Sequence, residues 1–116
     1  MRKLANFVAT LLVAGMWATS AFAHVTLERT SPPVGGSVSG SPGEVRLWFS
    51  EVVEPRFSGA EVTGPSGRVG GRASVSGNQL VIGLPQLAPG SYRVNWHVIS
   101  TDTHKMEGSF TFEVRP

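Results

Sequence analysis

Tyr92-Arg93-Val94-Asn95-Trp96-His97-Val98-Ile99 changes character at almost every step, with Tyr92, Val94, Trp96 and Val98 on one side and Arg93, Asn95 and His97 on the other. Successive strand side chains point to opposite faces, so a two-residue period marks a β-strand with one face buried. The same alternation returns near the end of the chain, where Phe110, Phe112 and Val114 interleave with Thr111, Glu113 and Arg115. These two runs, 92–99 and 109–115, are predicted to pair as neighbours joined by the loop 100–108. Upstream, Val45-Arg46-Leu47-Trp48-Phe49 places Val45, Leu47 and Phe49 on one face. Ala60-Glu61-Val62-Thr63 and Leu80-Val81-Ile82 give two shorter strands. Between the runs stand Pro32-Pro33, Gly35-Gly36, Pro42-Gly43, Gly64-Pro65, Gly70-Gly71 and Pro89-Gly90. No apolar pattern with a helical period persists. Short strands at regular spacing, separated by turn residues, predict an all-β antiparallel sandwich. Its expected core contains Trp48, Phe49, Tyr92, Trp96, Phe110 and Phe112, each able to remove on the order of 150–250 Å² from water.

Residues 1–23 read differently. Arg2 and Lys3 precede a mostly apolar run from Leu4 to Trp17, and Ala21-Phe22-Ala23 fits the small-x-small pattern of a cleavage site. That is the design of a secretory signal peptide. The apolar run falls short of the roughly 20 residues needed to span a bilayer. The expected organisation is therefore a signal peptide, 1–23, and one domain, 24–116. Removing Arg2 and Lys3 lowers Lys+Arg from 10 to 8, equal to the 8 Asp+Glu, so the exported domain is near neutral. No basic run remains to track a nucleic-acid backbone. There is no cysteine, which excludes thiolate metal sites and disulfide exchange and leaves the core to hold the domain together.

Three histidines remain in that domain: His24, His97 and His104. Cleavage after Ala23 would make His24 the first residue. It would then offer both its α-amine and its imidazole Nδ1, which close a chelate ring on one metal ion. The amine has an ordinary pKa of about 7.7–8.0, so the metal displaces an easily lost proton. No internal histidine has this option, because its backbone nitrogen is an amide. Asp102-Thr103-His104 supplies a carboxylate and an imidazole two residues apart, hence on one side of an extended chain. Together His24, Asp102 and His104 give three nitrogens and carboxylate oxygen without sulfur. That set suits one tetragonal copper(II) ion, ahead of nickel(II) or zinc.

These residues lie within a longer pattern. His24-Val25-Thr26-Leu27 is followed by Thr30-Ser31-Pro32-Pro33 and Gly35. Then come Val45-Arg46-Leu47-Trp48-Phe49-Ser50-Glu51-Val52-Val53-Glu54, Gly90-Ser91-Tyr92-Arg93-Val94-Asn95-Trp96, Ser100-Thr101-Asp102-Thr103-His104, Gly108 and Phe110-Thr111-Phe112-Glu113-Val114. In this ordered set the chain resembles the CopC family of periplasmic copper-resistance proteins over essentially all of 24–116. The resemblance implies an immunoglobulin-like Greek-key fold and a periplasmic location. It implies a copper(II) site formed by His24, Asp102 and His104, and a CopD-like membrane protein as partner. Glu51 matches a carboxylate near the site in some members. Two positions depart from the family pattern: Thr103 stands where glycine is usual, and His97 stands where arginine is common. His97 is out of phase with Trp96 and is expected on the outer surface.

The resulting expectation is a monomeric copper(II) carrier or buffer rather than an enzyme. Met106 is the one methionine left after cleavage. A single thioether does not make the methionine-rich copper(I) site of some family members. A histidine-brace copper oxidase also uses an N-terminal histidine, but Asp102 would take up an equatorial position that oxygen needs. An immunoglobulin-like adhesion module explains the fold and leaves His24 without a role. Ser50, Ser100 and Ser109 sit in no G-x-S-x-G context, so nucleophilic catalysis has no support.

Overall fold

The structure, a computed structural model, describes residues 25–116. The expected signal peptide and His24 lie outside the described residues. Nine strands follow in order: β1 (Leu27–Ser31), β2 (Ser37–Ser39), β3 (Glu44–Phe49), β4 (Gly59–Gly64), β5 (Gly67–Val69), β6 (Ala73–Ser76), β7 (Gln79–Gly83), β8 (Gly90–Ile99) and β9 (Lys105–Arg115). Among the described residues a single 3-10 turn, Pro55–Phe57, interrupts them. One sheet has the order β1-β3-β7-β6 and the other β2-β9-β8-β4-β5. Only β4–β5, β6–β7 and β8–β9 are hairpins; every other connection crosses from one sheet to the other. This is the expected β-sandwich, and its pairing is antiparallel except where β2 runs parallel to β9.

The inward faces follow the alternation in the sequence. Val45, Leu47 and Phe49 of β3 meet Tyr92, Val94, Trp96 and Val98 of β8 and Phe110, Phe112 and Val114 of β9 in one buried cluster. Phe49 and Trp96 meet edge to face with ring centroids 5.3 Å apart, and Tyr92 stacks on Phe112 at 5.6 Å. Such pairs add about 0.5–1.5 kcal/mol beyond the area that they bury. The Tyr92 hydroxyl donates to the Ala88 carbonyl at 2.7 Å, the tyrosine-corner bond found in immunoglobulin-like sandwiches. Opposite Trp96 on β9 stands Gly108. A side chain there would run into the indole, because a Cβ would lie 2.7 Å from its Cζ2.

Two expectations are corrected. Trp48 is not in the core: it shares the outer face of β3 with Arg46, half buried. There it lies under the Arg29 guanidinium, 3.9 Å from the ring centroid. The phase that turns Leu47 and Phe49 inward forces Trp48 outward, and the cation covers its apolar ring. The loop between the last two strands is 100–104 rather than 100–108, since β9 already begins at Lys105. Strands β1, β2, β5 and β6 have too few apolar residues to show in the sequence pattern. All four are edge strands, where one-sided burial is shallow.

Candidate metal centre

The long hairpin β8–β9 pairs Gly90 with Val114 at one end and Ile99 with Lys105 at the other, so its tip is the loop 100–104. The loop closes on Ser100. Ser100 N–H donates to the His104 carbonyl at 2.9 Å, and Thr103 N–H donates to the Ser100 carbonyl at 2.8 Å. The Ser100 hydroxyl donates to Asp102 Oδ1 and accepts from His104 N–H at 3.2 Å. Thr103 takes φ +73° to make the turn. This is the left-handed region that glycine enters freely and a β-branched residue enters at a cost. The glycine common in the resembling family at this position would carry no such cost.

That turn brings two of the three expected ligands together. His104 Nδ1 and Asp102 Oδ2 are 3.2 Å apart, with side chains 36% and 52% exposed, so both face solvent. The Asp102 carboxyl is held below its ordinary value, first by the hydroxyl of Ser100, against the opposing effect of desolvation, and further by hydrogen bonds and charge from His104. A carboxylate that stays ionised and lies beside an imidazole on an open rim is a competent half of a metal-binding set.

Where the chain enters the described region bears on the other half. Val25 is fully buried. Thr26 N–H donates to Ser50 Oγ at 2.8 Å, and Ser50 N–H donates to the Thr26 carbonyl at 2.8 Å. Three residues further on, Val53 forms a β-bridge with Ser100, and Glu54 N–H donates to the Ile99 carbonyl at 2.8 Å. One short segment, 50–54, is thus bonded on one side to the first described residues and on the other to the root of the Asp102/His104 loop. Three residues span at most about 11 Å, so Val25 starts from the same rim as that loop. Glu51 lies half buried within this segment. His97 is not brought to the loop. Its register sets it between Gly59 and Glu107, exposed on the outer face of the five-stranded sheet, as its phase predicted. Among the described residues no three His, Asp or Glu side chains converge on one point; His24, the remaining expected ligand, is outside them.

Ser100 is the site residue that sequence reasoning passed over, having weighed it only as a nucleophile. The signal was local: a serine two residues before an aspartate in a loop favours hydroxyl-to-carboxylate and hydroxyl-to-backbone bonding.

A profile for the CopC domain matches residues 27–115. Protein YobA of Escherichia coli strain K12 is 36% identical over 116 residues, covering 95% of this chain and 94% of that protein. Copper resistance protein C of Xanthomonas campestris pv. juglandis is 35% identical over 125 residues, covering 98% of this chain and 97% of that protein. The crystal structure of CopC from Methylosinus trichosporium OB3b superimposes with a TM-score of 0.75 at 35% identity, covering 80% of this chain and 95% of that one.

Proposed function

The chain belongs to the CopC family, and on that premise we propose that its exported form, beginning at His24, carries or buffers one copper(II) ion in the periplasm. The observation that supports this most is the approach of His104 Nδ1 to Asp102 Oδ2 at 3.2 Å, at the same rim from which Val25 enters the fold. A free amine and imidazole on His24 would add two nitrogens to that imidazole and carboxylate. The resulting all-N,O set is the kind that a tetragonal copper(II) ion prefers. Ions with softer preferences find less here. Met106, the one thioether outside the expected leader, is partly buried against the core. A rim site held by one loop and one chain end suits a carrier that must give up its ion, and a CopD-like membrane protein is the recipient that family membership suggests.

Two proteins test this reading, one beginning at His24 and one with a single glycine ahead of it. Copper(II) titration followed by electron spin resonance should show one bound ion in a nitrogen-rich tetragonal field for the first. The extension should weaken binding by at least roughly tenfold, about 1.4 kcal/mol, with an unchanged melting temperature. Equal affinity for both proteins would overturn the proposal.

A further inference from the structure

Ser100 stands apart from every other polar residue described. It is fully buried, at 0% exposure, and among the described residues it is the only buried polar or charged one. A buried hydroxyl costs free energy unless it is hydrogen-bonded, and here its partners all belong to the two residues expected to hold the metal. The hydroxyl holds Asp102 Oδ1 and receives His104 N–H at 3.2 Å. The backbone of the same residue is fixed by its bridge to Val53 and by the bonds to Thr103 and His104. The serine is therefore rigid, while Asp102, half exposed, would without it move among several rotamers.

We propose that Ser100 is the positioning residue of the metal centre: by engaging Oδ1 of Asp102 it turns the single oxygen Oδ2 toward the ring of His104, making the carboxylate a one-oxygen donor. This rests on the copper(II) reading above and adds to it a source of selectivity. A one-oxygen carboxylate fits a planar set already rich in nitrogen. A carboxylate released from Ser100 is able to close on an ion with both oxygens, which disturbs the tetragonal set that copper(II) prefers more than it disturbs zinc(II), whose d10 shell imposes no geometry. Removing the hydroxyl should weaken copper(II) and narrow its lead over zinc(II). Partners that orient a metal ligand typically account for roughly 10- to 100-fold in affinity.

The test uses the protein beginning at His24 and compares Ser100→Ala with Ser100→Thr, reading copper(II) and zinc(II) affinity, the spin-resonance hyperfine splitting and the melting temperature. The expected result is a loss of roughly 10- to 100-fold in copper(II) affinity with altered hyperfine splitting for Ser100→Ala, and recovery of both by Ser100→Thr. Because the added methyl of threonine enters a fully buried position, a double-mutant cycle provides an independent reading. If Ser100 acts through the carboxylate, adding Ser100→Ala to Asp102→Asn should change copper affinity little further. Wild-type affinity and spectrum in Ser100→Ala, or strictly additive losses in the double variant, would overturn the role of Ser100 alone. A wild-type protein that takes up no copper(II) would overturn the proposed function together with it.

Discussion

Replacing Gly108 with alanine adds one methyl group, and the structure says where it goes. Gly108 faces Trp96 across the β8–β9 ladder, and the new Cβ would lie 2.7 Å from Cζ2 and 3.0 Å from Cε2 of the indole. Carbon atoms in good contact sit about 3.5–4.0 Å apart, so the indole must retreat by most of an ångström. It has little room to do so. Trp96 is only 8% exposed and its ring already meets Phe49 edge to face at 5.3 Å. Inserting a methylene into a packed core costs about 1–3 kcal/mol. For a domain of this size each kcal/mol lowers the melting temperature by about 4–8 °C, so about 2 kcal/mol predicts a fall of roughly 8–16 °C. Gly83→Ala is the control. It makes the same chemical change in a strand of the other sheet, where a Cβ meets nothing within 4 Å. Gly83 ends β7, and replacing a glycine there also removes some freedom of the unfolded chain, so the control should hold steady or gain stability. Only Gly108→Ala is thus expected to lower the melting temperature, which thermal melting by circular dichroism resolves. If Gly108→Ala melts together with Gly83→Ala, the packing argument for the β8–β9 core is wrong.

Thr103 holds φ +73°, where an ordinary side chain costs about 1–2 kcal/mol and asparagine is accommodated far better; Thr103→Asn should therefore raise stability by about 1 kcal/mol, and a lower melting temperature would show that the turn gains more from threonine than it loses. The lowered carboxyl of Asp102, held chiefly by Ser100, gives a signed pH dependence. Its contribution to stability is present above the unfolded value of about 3.9 and disappears as pH falls through the lower folded value. Asp102→Asn should accordingly flatten the acid side of the stability profile, and melts of both proteins at about pH 5 and about pH 2.5 decide it; parallel profiles would contradict the hydrogen-bonding arrangement. His104→Ala should weaken copper(II) by more than the roughly 10- to 100-fold typical of residues that only support a ligand. His97→Ala, on the outer sheet face, should leave the titration unchanged; the reverse order would move the site to the sheet.

The strands most legible in the sequence were those buried deepest. β3, β8 and β9 each carry three or four inward apolar residues in strict alternation, and each lies inside its sheet rather than at an edge. β2 and β5, three residues each, bury too little to leave a period behind, and Ser37–Ser39 is held as a strand by its parallel pairing with β9. Trp48 shows the opposite error. Its size suggested the core, whereas its phase belonged to the outer face, and phase decided. At the site, Asp102 and His104 could be read from their spacing, but not the contact of 3.2 Å between them. That contact depends on a left-handed Thr103 and on a buried serine whose partners are set by the loop's closure.

Amino-acid order by itself determined that this is a cysteine-free β-sandwich and marked three candidate donors, because period, composition and residue chemistry are local properties of a chain. Only the tertiary structure decided which elements meet. It placed the segment 50–54 between Thr26 and Ser100, bringing the first described residues to the rim of a loop far along the chain. Contacts between residues distant in sequence arise from the joint packing of two sheets on one core, and no local pattern encodes them.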